Sequence, residues 1–128
     1  MGTGNILIDT SIIIDHLRKK NKKKSRLFEI IDTHGLFVST VTIYELFAGA
    51  TNEAKRKDIN DFMALAEILP FNRETAERAG DIYLSLRNKN ELIDVRDIFI
   101  GATALIHHFP LMTLNVKHFN RIEELKIW

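Results

Sequence analysis

The sequence predicts a three-layer α/β/α domain with a central parallel sheet, a single domain spanning residues 1–128. Three observations predict it. Short apolar runs at Ile6–Ile8, Leu36–Ser39, Ile68–Phe71 and Leu111–Leu114 alternate along the chain with helical patterns, the order expected of an α/β fold. These runs lack the polar–apolar alternation of a strand with one wet face, so helices should cover both faces of the sheet. The 128 residues are 45% hydrophobic and 27% charged, which suits one core of ordinary globular composition.

Ile6–Ile8 is the first strand. It ends in Asp9, and Thr10–Arg18 follows as the first helix. Ligands of open α/β sheets sit beyond the carboxyl ends of strands, so Asp9 is placed for chemistry. Asp9 and Thr10 are also the residue types that cap free helix N–H groups, and the stretch alone leaves both readings open. Arg18, Lys19, Lys20, Lys22, Lys23, Lys24 and Arg26 then form one basic run, read either as a solvated face or as a phosphate-binding patch. Leu27, Phe28, Ile30 and Ile31 share i, i+3, i+4 spacing and predict a second helix, with Gly35 as its stop.

Leu36–Ser39 is the second strand. Thr40 and Thr42 open a helix that runs through Ile43, Tyr44, Leu46 and Phe47 to Gly49. Asn52 caps the next helix, with Ile59, Phe62, Met63, Leu65 and Ala66 as its inner face. Ile68–Phe71 is the third strand, and Pro70 assigns it to an edge or ends it. Asn72 caps a helix carrying Ala76, Ala79, Ile82, Tyr83 and Leu86. Gly80 lies within that helix, where Gly costs roughly 1 kcal/mol relative to Ala; close packing against a neighbour would explain it. Asn88–Leu92 is polar and loop-like. Val95, Ile98, Phe99, Ala102, Leu105 and Ile106 share one helical stripe, which Pro110 stops. Leu111–Leu114 is the fourth strand, and Leu125–Trp128 a last short one.

Several classes of function are excluded. The chain has no cysteine, so disulfides, thiolate zinc sites and thiol nucleophiles are absent and an intracellular, cytoplasmic protein is expected. No apolar run approaches the ~20 residues of a membrane span, and no signal-peptide core is present. Gly2 raises N-myristoylation, but Ile6 stands where Ser or Thr is needed. There is no Gly-x-Ser-x-Gly, no phosphate-binding Gly-x-x-x-x-Gly-Lys and no dinucleotide fingerprint. His107 and His108 are adjacent and do not share a helix face. His16 and His34 lack ligand partners at useful spacing.

The acids are more informative. Asp9 ends the first strand, Glu45 lies one turn into the helix after the second, and Asp94 and Asp97 open the long helix before the fourth. Each has a structural reading: Thr42-x-x-Glu45 matches a capping box, and Asp94 and Asp97 suit a helix N-terminus. Jointly they are placed to converge at one end of the sheet, with no cation in the sequence as an obvious partner for all of them. Like charges in contact repel by about 1 kcal/mol per pair in water. A divalent cation would relieve this, and oxygen-only ligands point to Mg²⁺ or Mn²⁺.

The segments LIDTSIIIDHL, STVTIYELFAGA and DIFIGATALIHHFPLMTLNVKHF together resemble a PIN domain, and more narrowly a VapC-type toxin ribonuclease of a type II toxin–antitoxin system. The resemblance covers essentially the whole chain and is most specific over Asp97–Phe119. It implies a PIN-like fold and metal-dependent endonucleolytic cleavage of RNA, with Asp9, Glu45 and Asp97 as the catalytic acids. Asp9 and Asp97 would hold Mg²⁺ or Mn²⁺, and Glu45 would bind directly or through water. Asn115 stands at the family's fourth acidic position and carries no charge, which makes Asp94 a candidate to supply it. Thr10, Ser11 and Thr113 are candidate hydrogen-bond donors, and His118 and Phe119 are expected to pack. Lys19, Lys20, Lys22, Lys23 and Lys24 would guide RNA. A VapB-type antitoxin and a homodimer are implied partners, with Leu27 and Phe28 as possible contacts. Two alternatives stand beside this reading. One is a non-catalytic PIN-like module that binds RNA or protein. The other is phosphoryl transfer on Asp9, for which Ser11 breaks the Asp-x-Asp pattern and Lys117 is a weak match.

Overall fold

The computed structural model describes residues 4–128; Gly2, considered above for myristoylation, lies outside them. Four strands, β1 (Asn5–Ile8), β2 (Gly35–Ser39), β3 (Glu67–Leu69) and β4 (Leu111–Met112), form one sheet in the order β3-β2-β1-β4. Every pairing is parallel, with Ile6 opposite Leu36, Val38 opposite Ile68, and Ile8 opposite Met112. Six helices surround the sheet: α1 (Thr10–Arg18), α2 (Thr40–Ala48), α3 (Glu53–Met63), α4 (Arg73–Asn88), α5 (Val95–His107) and α6 (Val116–Phe119). No helix among the described residues is long and apolar enough to cross a membrane.

The inner strands β1 and β2 are covered on both faces, while Glu67 and Ile68 on the edge strand β3 are exposed. Ile6 and Ile8 enter one core with Ile12, Ile13, Val38 and Met112. Leu7 enters the other with Ala79, Ile82, Ile98 and Leu111. That split follows from the two-residue period of a strand. The strand order also locates a crevice. After β1 the chain builds β2 and β3 to one side, then crosses to place β4 on the other side of β1. Such a reversal opens a gap beyond the carboxyl ends of the two strands that flank it. Asp9 follows β1 and Thr113 follows β4, so both stand at this gap.

Local signals explain most boundaries. Asn52 and Asn72 cap α3 and α4, accepting from the N–H groups of Lys55 and Thr75. β3 is an edge strand that ends one residue before Pro70. α5 ends at His108, whose left-handed backbone (φ 57°) turns the chain two residues ahead of Pro110.

Other expectations are corrected. Leu27–Ile31 is not an α-helix; it contains a 3₁₀ turn at Leu27–Glu29, preceded by another at Lys22–Lys24. Leu27 and Ile30 are fully buried, and their three-residue spacing matches the 3₁₀ period. Asp15 accepts the Arg26 N–H and Ser25 accepts the Phe28 N–H, which ties the start of this segment to α1. Gly35 does not stop a helix but opens β2, where a Cβ would come within 2.4 Å of Asn5 Oδ1. Ser39, not Thr42, caps α2, and Thr42 is buried inside the helix, so the expected capping box does not form. On α4 the buried face is Thr75, Ala79, Ile82 and Leu86, while Ala76 and Tyr83 face outward. Gly80 has open space where its Cβ would be, so close packing does not explain it. On α5 burial covers Ile98 and all of Ile100–Ala104 rather than one stripe, and Val95 is exposed. β4 is two residues long, and Leu125–Trp128 contributes one bridge, Ile127 to Leu111. Leu65 is exposed beyond the end of α3.

Candidate active site at the carboxyl ends of the strands

Asp9 occupies the cap position of α1, yet its side chain makes no capping bond. Its carboxylate is 2% exposed, and Oδ2 accepts from both the Ser11 and Thr113 hydroxyls at 2.7 Å. Those hydroxyls are themselves oriented by backbone. Ser11 Oγ accepts the Leu114 N–H at 3.1 Å, and Thr113 Oγ1 accepts the Asn115 N–H at 2.9 Å. The turn into α1 and the exit from β4 thus fix one carboxylate between them.

Glu45 projects from α2 toward the same end. Thr10 Oγ1 donates to its Oε1 at 2.7 Å and lies 3.0 Å from Thr42 Oγ1. Its Oε2 lies 3.7 Å from Arg96 Nη1. The buried threonines therefore tie α1 to α2 at the site.

Asp97 stands in the first turn of α5 with its side chain 16% exposed, and His118 Nδ1 lies 4.0 Å from its Oδ2. Burial pushes the Asp97 carboxyl up to about 6, and the charges of Asp9, Asp94 and Glu45 add to the shift. Desolvation and like charge both oppose ionisation. Asp94 is the cap of α5, and Arg96 engages both its oxygens: the Arg96 N–H and Nε donate to Oδ1 at 2.8 and 3.0 Å, and Nη2 to Oδ2 at 3.0 Å. These bonds hold the Asp94 carboxyl below the usual range.

Asp9, Glu45 and Asp97 are thus coupled electrostatically across the crevice, each on a different element. Among the described residues, no three carboxylates or histidines stand close enough to enclose an ion as the side chains are placed. The donor set is carboxylate and hydroxyl oxygen, which matches a hard divalent cation rather than zinc or a softer metal. A half-buried acid that resists ionisation beside two others is chemistry a cation would stabilise. Asp94 is already committed to Arg96. The exposed Asn115 begins α6 without a side-chain cap bond, and reaches the site only through its backbone N–H.

Arg96 was missed from sequence, and His118, expected to pack, instead has half of its side chain exposed. Arg96 bridges Asp94 and Glu45, and His118 faces Asp97. Arg96 is two residues from Asp94, a spacing that does not bring side chains together inside a helix. It works here because Asp94 is the cap, outside the helical turn. His118 had only its three-residue distance from Asn115 as a signal.

The basic run divides. Lys22 Nζ donates to the carbonyls of His16 and Leu17, closing the end of α1, and Lys19 pairs with Asp15 at 3.5 Å. Arg26 pairs with Glu29. Lys20, Lys23 and Lys24 are exposed. Arg18 and Lys19 line a depression of ≈ 490 Å³ that reaches Ser11 and Leu114 at the site. A second groove, ≈ 280 Å³, runs between α1, α2 and α3 past Leu17, Leu46 and Ile59 to Glu45. Leu27 is core and Phe28 is exposed, so only Phe28 is available for an outside contact.

The fold and this cluster of acids define a class. A family model described as PIN domain matches residues 6–125, and the chain belongs to the PIN domain family. Within that family it is similar to VapC ribonucleases. It is 36% identical to Ribonuclease VapC1 of Methanocaldococcus jannaschii, over 96% of this chain and 86% of that protein. It is 33% identical to Ribonuclease VapC10 of Mycobacterium tuberculosis, over 94% and 90%. The fold matches the crystal structure of VapBC2 from Rickettsia felis bound to a DNA fragment from their promoter, with TM-score 0.85, 21% identity and 96% of each chain covered. It also matches VapBC-1 from nontypeable Haemophilus influenzae, with TM-score 0.84, 26% identity and the same coverage.

Proposed function

We propose that this chain is a divalent-metal-dependent endoribonuclease of the cytoplasm and the toxin of a VapBC-type toxin–antitoxin pair. The observation that carries the reading is the delivery of Asp9, Glu45 and Asp97 to one crevice by three elements, the end of β1, α2 and the first turn of α5. Relatives named as VapC ribonucleases support RNA as substrate, and favour catalysis over a PIN-like module that only binds. Matching structures of VapBC assemblies support an antitoxin partner. A segment of that partner lying in the groove between α1, α2 and α3 would end at Glu45. The protein is proposed to act as a homodimer.

Asp9 and Asp97 would hold Mg²⁺ or Mn²⁺, with Glu45 bound directly or through a water. When bound, such an ion polarises a phosphate oxygen and lowers the pKa of a water that attacks phosphorus. The chain's own groups set the stage for this. Ser11 and Thr113 fix the rotamer of Asp9 by occupying Oδ2. Thr10 aims Glu45 in the same way. Arg18 and Lys19 lie along the depression that leads to the acids, where they would neutralise RNA phosphates, with Lys20, Lys22, Lys23 and Lys24 further along the path. Binding should weaken steeply with salt, because neutralising phosphates releases counterions. Asp94 and Asn115 stay outside the ligand set, as cap and as backbone donor.

The test is RNA cleavage by the purified chain with Mg²⁺, Mn²⁺ or EDTA, alongside Asp9→Asn and Asp97→Asn. Cleavage in either metal, absent in EDTA and in both variants, is the expected result. Full activity in EDTA overturns it.

A further inference from the structure

Arg96 has a place in the site that the catalytic reading leaves unused. Its guanidinium is forked onto Asp94, Nε to Oδ1 and Nη2 to Oδ2, both at 3.0 Å. That leaves Nη1, which lies 3.7 Å from Glu45 Oε2. The two ends of this contact chain differ in strength. The Asp94 end is a bidentate, charge-assisted pair. The Glu45 end is beyond hydrogen-bond distance and is an ionic contact alone. The other Glu45 oxygen is already held by Thr10. A guanidinium stays charged at any pH the protein meets, so Arg96 is a permanent cation beside a carboxylate that the nuclease reading gives to a metal.

We propose that Arg96 is the resident counter-ion of this site. It holds Glu45 when no divalent cation is bound and yields it when one is. Asp94 keeps the guanidinium in place throughout, and the freed Nη1 then donates to a phosphate oxygen of the RNA backbone. The inference rests on the metal-dependent nuclease reading. The order of events follows from the bonds, since displacing Arg96 from Glu45 breaks one loose ionic contact and leaves the fork to Asp94 intact. A guanidinium anchored on one edge and open on the other suits a phosphate, because its N–H groups match phosphate oxygens. Half of the Arg96 side chain is exposed, so the phosphate has access.

The proposal predicts effects of opposite sign from one substitution. Arg96→Gln removes a positive charge next to the cation site, so Mn²⁺, titrated calorimetrically into the RNA-free protein, should bind roughly tenfold tighter. The same variant should bind fluorescent single-stranded RNA, in Ca²⁺, roughly tenfold more weakly. Arg96→Lys keeps the charge without the fork and should leave Mn²⁺ affinity within about twofold of the parent. If Arg96 merely braced Glu45, Arg96→Gln would loosen the carboxylate, and unchanged or weaker Mn²⁺ binding would overturn the counter-ion role. Unchanged RNA affinity would overturn the phosphate role. Asp97→Asn, titrated alongside, separates the two levels. If it fails to weaken Mn²⁺ binding, the metal-site reading falls and Arg96 with it. If it weakens Mn²⁺ binding while Arg96→Gln does not strengthen it, only the Arg96 inference falls.

Discussion

The two walls of the crevice hold their acids by different means. On the β1–β4 wall, Asp9 is buried and fixed by two neutral hydroxyls, each oriented by a backbone N–H. On the α2–α5 wall, Glu45, Asp94 and Asp97 are partly exposed; the Arg96 guanidinium faces the first two and the His118 ring faces the third. The first wall sets position, since short hydrogen bonds inside a low-dielectric cleft are strong and directional. The second wall balances charge, and its longer ionic contacts are the ones that can be exchanged. The site therefore combines one carboxylate held by hydroxyls alone with two that face ionic or imidazole partners, Glu45 keeping the Thr10 hydroxyl as well.

Removing an acid from either wall should have the largest effect. Asp9→Asn and Asp97→Asn are each expected to lower the rate of metal-dependent RNA cleavage by roughly a hundredfold or more, the loss of several kcal/mol of charge stabilisation. Single-turnover rates would measure it, and a variant within tenfold of the parent would mean that its wall is not catalytic.

The next effect tests whether the hydroxyl wall works by position. Thr113→Val removes one of the two donors to Asp9 Oδ2 while keeping shape. Partners behind a metal ligand are typically worth 10–100-fold, so cleavage should fall by about that factor while thermal stability drops by only ~1 kcal/mol. The equivalent loss on the other wall, Thr10→Val behind Glu45, should be smaller, because Arg96 still faces that carboxylate. Equal losses would erase the distinction between the walls.

The charged wall should show itself in pH. Asp97 in the folded chain titrates near about 6, above its ordinary value of 3.8. The folded state therefore binds this proton more readily than the unfolded one. The metal-free protein gains stability from Asp97 as pH falls through about 6 toward 3.8, and loses it as pH rises. Asp97→Asn lacks this term. Its melting temperature should exceed the parent's above pH 6, and the gap should close near pH 4. A gap independent of pH would show that burial and the neighbouring acids do not raise the Asp97 carboxyl.

The smallest effect lies away from both walls. Gly80 is exposed on α4 with room for a Cβ, so Gly80→Ala should stabilise the fold by up to ~1 kcal/mol without altering cleavage. A change in cleavage rate would mean that α4 communicates with the site.

Much of this was legible in the residues. The strand–Asp9–helix junction, the asparagine caps at Asn52 and Asn72, and the edge position before Pro70 are all set by short-range chemistry. The Asp15–Lys19 pair follows from i, i+4 spacing on α1. The segment after α1 was misread because apolar spacing of three fits a 3₁₀ turn as well as a helix. Thr42 looked like a cap because Glu45 stands three residues on, whereas Ser39 at the end of β2 takes that place. Pattern alone does not say which hydroxyl meets the first free N–H groups.

The sequence by itself determined the alternation of strands and helices, the covering of both sheet faces, and which acids fall at helix starts. Those properties depend on neighbours within a few residues. Only the tertiary structure decided what each acid touches. Thr113 reaches Asp9 across 104 residues and Thr10 reaches Glu45 across 35. Arg96 meets Glu45 because α2 and α5 start at the same end of the sheet. Contacts between elements are fixed by strand order, and strand order follows from how the whole chain buries its apolar surface.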